Sequence, residues 1–128
     1  MFYKLTHEKA IRNVATACMK QGLTVSAKPA YDGFQPDLVV QSDGRVYVIV
    51  VNQDKRAAHL GDVAQAEMFS RVVAKTTGDN VQCILITMPG SARELYQAAS
   101  QAGVKIITVR PSNPRILQRI LADVFQAS

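Results

Sequence analysis

The sequence predicts an α/β protein, a three-layer α/β sandwich with a mixed central sheet. Three observations predict it. Residues 35–52, QPDLVVQSDGRVYVIVVN, read as two strands joined by a tight turn at 42–45, with Asp43-Gly44 as a strong two-residue hairpin signal. Residues 46–51 are apolar at every position, and such a continuous run marks a strand buried on both faces, without a wet side. Beyond it, helical and extended segments alternate, which implies right-handed parallel crossovers.

In chain order, Thr6 caps a helix that runs to residue 21, where Gly22 stops it. Ile11, Val14, Ala15 and Cys18 form its apolar stripe. Glu8 precedes Ile11 by three residues and Ala15 by seven, so it falls on the inward stripe. Two roles stay open for it: a first-turn carboxylate that favours the helix dipole, or a group that looks into a site. Residues 23–30 form a strand, followed by a loop through Tyr31, Asp32, Gly33 and Phe34. The hairpin comes next, its first two strands and the one before it forming an antiparallel meander. Residues 53–60 make a polar connection containing Asp54, Lys55, Arg56 and His59.

A helix over 61–75 carries Val63, Ala64, Ala66, Met68, Phe69, Val72 and Val73 around most of its circumference, so heavy burial is expected. A turn at 76–80 leads to a second strongly apolar strand at 81–87. Pro89, Gly90 and Ser91 open a helix to residue 102, ended by Gly103, and 104–109 is a short strand. Ser112, Asn113 and Pro114 supply a cap and a helix-start proline for the last helix. Ile116, Leu117, Ile120, Leu121, Val124 and Phe125 form its stripe, which either covers a sheet face or pairs with a second copy in a homodimer. In the second case Leu117→Asp or Leu121→Asp would dissociate the dimer without unfolding it.

At 128 residues the chain is expected to be one domain, residues 1–128, with enough length to bury a core. No apolar stretch approaches the roughly 20 residues of a membrane span, and MFYKLTHEK holds no signal-peptide core, so a cytoplasmic protein is expected. Cys18 and Cys83 fall in a helix and a strand and read as buried free thiols. Fifteen Lys and Arg against 10 Asp and Glu give +5. With a pI near 9.5, this balance favours a polyanionic partner, though mildly.

An acidic helix residue, a Pro-Asp opening a strand, a hairpin and a buried strand, in the order αβββαβ, resemble the PD-(D/E)xK nuclease superfamily, the restriction-endonuclease-like fold. The resemblance covers residues 8–87, and the remaining αβα is extra. Pro36 and Asp37 stand where that family has its Pro-Asp. The family's buried strand then supplies an acid, any residue and a lysine; counting along VYVIVVN, these fall on Val50, Val51 and Asn52. The missing groups have a clear purpose. Two carboxylates hold Mg²⁺ through hard oxygens. The metal polarises the phosphate and activates water, and the lysine offsets developing charge. Val50 offers no ligand and Asn52 no charge. Asp37 alone is a weak metal candidate, Glu8 could add a second carboxylate, and Asp54 with Arg56 has the spacing of a shifted register. Some branches of the family also carry Gln followed four residues later by Tyr; this chain has Gln65 and Phe69.

The resemblance therefore implies a catalytically inactive nuclease-like domain whose vestigial site is Glu8, Asp37, Val50, Asn52 and Gln65. No cofactor is expected, and an enzyme is the less favoured outcome. Lys28, Arg45, Lys55, Arg56, Arg71 and Lys75 are its candidate contacts to nucleic acid, DNA in the first instance, in DNA processing or a mobile-element system. No aromatic-basic interleaving suggests base stacking. Two alternatives remain: a protein-interaction or oligomerisation module, and an active Mg²⁺-dependent nuclease using Asp37 and Glu8. Pro89-Gly90-Ser91 lacks the full phosphate-binding glycine motif, His7 and His59 lack ligand-spaced partners, and neither Ser91 nor a cysteine belongs to a triad.

Overall fold

The structure, a computed structural model, describes residues 2–31, 33–42, 44–52, 59–78, 80–87, 93–109 and 114–126. The element order is α1 (Phe2–Met19), β1 (Thr24–Ala27), β2 (Leu38–Ser42), β3 (Arg45–Val51), α2 (Leu60–Thr77), β4 (Val81–Thr87), α3 (Arg93–Ala102), β5 (Val104–Thr108) and α4 (Pro114–Gln126). Five strands make one sheet in the order β1-β2-β3-β4-β5. The first three are antiparallel and the last three parallel. This is the expected mixed sheet.

β2 and β3 meet at Ser42 and Arg45, which leaves the two-residue turn that Asp-Gly favours, and Gly44 adopts φ 81° there. Asp43 lies outside the described residues. β3 is the central strand, and Val46 to Val51 are all buried. The pleat sends alternate side chains to opposite faces. Tyr47, Ile49 and Val51 meet α1 and α4 on one face, with Ile84, Ile86 and Ile107. Val46, Val48 and Val50 meet α2 and α3 on the other, with Cys83, Leu85 and Val104. The sandwich thus has two separate cores, one on each side of a sheet apolar on both faces.

Several elements depart from the sequence reading. α1 begins at Phe2, so Thr6 is not its cap and Glu8 is not in its first turn. β1 stops at Ala27 because Lys28 turns the chain at φ 46°, in the left-handed region, and Pro29 cannot donate to a ladder. α2 starts at Leu60 and ends at Gly78 in the αL conformation, one turn longer than the periodicity suggested. Its burial is also narrower than expected: Val63, Ala66 and Val73 are buried, whereas Ala64 is exposed and Met68 is 38% exposed. The helix lies against the sheet along one stripe, with α3 beside it, and its outer side meets solvent.

α4 covers a sheet face. Leu117 and Leu121 are fully buried, and Phe125 meets Tyr47 edge to face at 4.9 Å. Those leucines therefore form the chain's own core and are not surface on which a second copy could dock. The cap residues Ser112 and Asn113 and the Pro89-Gly90-Ser91 segment lie outside the described residues. Among the described residues no helix is long and apolar enough to cross a membrane.

Cys18 and Cys83 are free and buried, as the sequence suggested. The Cys83 thiol donates to the Ala66 carbonyl at 3.2 Å. Burial pushes both thiols up to about 12. The native protein is therefore expected to resist thiol reagents at neutral pH and to react fully once denatured, as an Ellman titration with and without urea would show. Unfolded thiols ionise near 9 and folded ones near 12, so stability held below pH 9 falls as pH rises between those values.

Candidate functional site

The site begins where the β2–β3 ladder ends. Leu38 pairs with Ile49, so the ladder carried outward sets Asp37 beside Val50 and Pro36 beside Val51. Proline has no N–H and cannot complete a mutual pair there. Asp37 takes the free position: its carboxylate Oδ2 accepts the Val51 N–H at 2.8 Å. Its own carbonyl accepts the Lys28 N–H at 2.8 Å, tying in the chain just beyond β1. Asp37 is thus a joint between β3 and the end of β1. It lies just before β2 and is partly buried.

Beyond it, Asn52 closes β3. Its N–H donates to the Ile86 carbonyl at 2.8 Å and its side-chain amide donates to Thr87 Oγ at 3.3 Å. The Val109 N–H donates to the Thr87 carbonyl at 3.0 Å. Asn52 and Thr87, 8% and 0% exposed, are the buried polar residues of the described chain, and they bind the ends of the parallel strands together. Alternation places Val50 and Asn52 on the face that also carries α2 and α3, the face of Val39 and, two residues back, of Asp37.

The five vestigial positions divide between layers. Asp37, Val50 and Asn52 come together at the end of β3. Glu8 is half-buried on α1, whose buried residues pack on the opposite face of the sheet. Gln65 is exposed on α2, one turn before Phe69, in the layer over the Asp37 face. Among the described residues no group of three His, Cys, Asp or Glu is placed to hold a metal. Val50, 6% exposed, presents only methyl groups beside Asp37. The described side chains at this end of β3 do not fit Mg²⁺, which asks for several hard oxygen donors.

The candidate cations are dispersed. Lys28 is exposed and hydrogen-bonded through its backbone to Asp37. Arg45 is exposed at the far end of β3, roughly 20 Å from Val51 at about 3.3 Å per residue. Lys75 sits in the last turn of α2, which runs back to that same far end, where Val81 pairs with Val46. Arg71 forms an ion pair with Glu67 at 3.1 Å across one turn of α2 and projects into solvent. Lys55 and Arg56, with Asp54, lie outside the described residues. The described cations thus fall at two ends of the sheet and do not rim one spot. Sequence order alone conceals this, because a strand and the crossover helix after it run in opposite directions.

Two features were not anticipated. Asp62 caps α2 by accepting the His59 N–H at 2.9 Å, and the His59 ring lies 3.2 Å from the same carboxylate. The His59-x-x-Asp62 spacing was the available signal. The second is aromatic. Phe34 meets Phe69 edge to face at 6.5 Å, and Tyr31 packs against the same core. Phe34 and Phe69 are distant in sequence, so only the fold brings them together.

Comparison with known proteins bears on this geometry. No protein-family model matches the chain, and no curated protein does. Solved structures do match. A protein of unknown function, AF1548, superposes at a TM-score of 0.62 with 18% identity, over 77% of this chain and 56% of that one. A repair endonuclease from Pyrococcus abyssi gives 0.61 and 18%, over 75% and 42%. EndoMS in complex with dsDNA gives 0.59 and 18%, over 77% and 45%. The chain spans about half the length of these proteins. The likeness shows the fold, a mixed α/β sandwich that this chain shares with them.

Proposed function

We propose that this is a nuclease-like domain that binds nucleic acid, DNA in the first instance, without cleaving it, in a DNA-processing or mobile-element setting. The observation that carries the reading is the pair beside Asp37. Where hydrolysis would want an acid and an ammonium group, the strand presents the methyls of Val50 and an amide, Asn52, that donates to Thr87. Among the described residues of the strand, a phosphodiester there would meet no metal clamp and, at position 52, no ammonium group to offset developing charge. In this reading the domain needs no cofactor, and Mg²⁺ enters only if cleavage is observed. Support for nucleic acid comes from the net charge of +5 and from neighbours of the same fold that include a repair endonuclease and a dsDNA complex.

The binding would be electrostatic and independent of sequence. Fluorescence anisotropy on a labelled duplex is expected to show affinity falling steeply with salt. Lys28→Ala is expected to lower the slope of log K against log salt by about one, as for one phosphate contact, and Arg45→Ala by less because it stands at the far end of β3. Incubation with Mg²⁺ or Mn²⁺ is expected to leave the duplex intact. Cleavage abolished by Asp37→Asn would overturn the inactive reading, and tight binding indifferent to salt would overturn the electrostatic one.

A further inference from the structure

The loop between β1 and β2 is built more firmly than a connecting loop requires. Lys28 N–H to the Asp37 carbonyl closes its base at 2.8 Å, and the Gln35 side chain donates to the Lys28 carbonyl at 2.9 Å. Near the tip, Tyr31 and Phe34 exchange both backbone hydrogen bonds at 2.7 Å, and Gly33 supplies φ 84°. The result is a fastened hairpin whose tip carries two aromatic rings and whose foot is Asp37.

Its apolar tip is not fully covered. Phe34 is 38% exposed although it touches Phe69 of α2. The rings stand at 73°, and an edge-to-face pair leaves flat ring surface that its partner does not cover. Lys28 is exposed at the foot of the loop. A fastened aromatic face, in a loop that also carries an exposed lysine, matches an unstacked base and its phosphate, since every base has a π-face and the ordering cost has already been met by the fold.

We propose that Phe34, backed by Phe69, is a stacking platform for an unpaired base, so that the domain prefers nucleic acid with a single-stranded segment. The inference rests on the nucleic-acid reading above and adds the kind of strand and the residue that recognises it.

The test compares a labelled oligothymidine with a duplex by anisotropy. Phe34→Ala is expected to weaken single-strand binding about five- to a hundredfold, the range for losing one stacked base, while leaving duplex binding and both salt slopes nearly unchanged. Phe34→Tyr keeps a ring and should retain affinity. Phe34→Leu keeps apolar packing on Phe69 but not the π-face, so it should behave as Phe34→Ala does, which separates stacking from loss of fold. Wild-type binding to the duplex with a silent Phe34→Ala would overturn this inference alone. Equal losses on both substrates would do the same. Failure of the wild type to bind either nucleic acid would overturn the parent reading and this one together.

Discussion

Leu117→Asp is expected to unfold the protein. Leu117 is fully buried, in the core that also holds Val14, Tyr47 and Ile49. Truncating a buried leucine costs about 2–5 kcal/mol through lost transfer energy and an imperfectly filled space. An aspartate there adds a polar group with no apolar-side partner, which costs at least a few kcal/mol more and raises its pKa until it takes up a proton. A domain of ordinary stability holds about 5–15 kcal/mol in all. The expected loss is therefore about 4 kcal/mol or greater, and circular dichroism should show no cooperative urea transition or a sharply lowered midpoint. Ile116, next in the chain and 47% exposed, is the control: Ile116→Asp should shift stability by about 1 kcal/mol or less. A folded Leu117→Asp protein with an altered oligomeric state would show that the leucine stripe of α4 faces a partner.

The same helix illustrates what the sequence disclosed and what it did not. Periodicity showed which side of α4 is apolar, and the all-apolar run at 46–51 showed that a strand needed cover on both faces. Together they define the layers. Neither names what lies against Leu117, because an apolar stripe is equally content on a sheet or on another molecule. The hairpin was legible because the Asp-Gly turn and the pairing of Ser42 with Arg45 are local. The site was legible only in part. Asp37, Val50 and Asn52 could be placed at the end of β3 because strand alternation is a local rule. Glu8 depends on which face α1 covers, and Phe34 on Phe69 depends on loop closure across 35 positions of sequence. Those are tertiary facts without local signatures. The cations show the same limit, since Lys28 and Lys75 look equivalent as exposed charges until the direction of α2 is known.

Asp37 gives the second large effect, and it separates structure from chemistry. Its carboxylate holds the Val51 N–H at 2.8 Å where Pro36 cannot continue the ladder. Asp37→Ala leaves that buried strand N–H without its acceptor, which costs about 1–3 kcal/mol. Asp37→Asn keeps an acceptor oxygen in the same place and should lose about 1 kcal/mol or less, so urea midpoints should rank wild type, Asn, Ala. Binding should move the other way. Removing a negative charge from the end of β3 lifts its repulsion of phosphate, so Asp37→Asn should tighten duplex binding a few fold at low salt, with Mg²⁺ making no difference. A metal-dependent enzyme would respond differently, because asparagine there would weaken the divalent ion's hold and lose cleavage as completely as alanine does. If the two variants are equally unstable, the carboxylate is not the joint between β3 and the β1–β2 loop; if asparagine is stable but abolishes a cleavage that the wild type performs, the residue is a metal ligand.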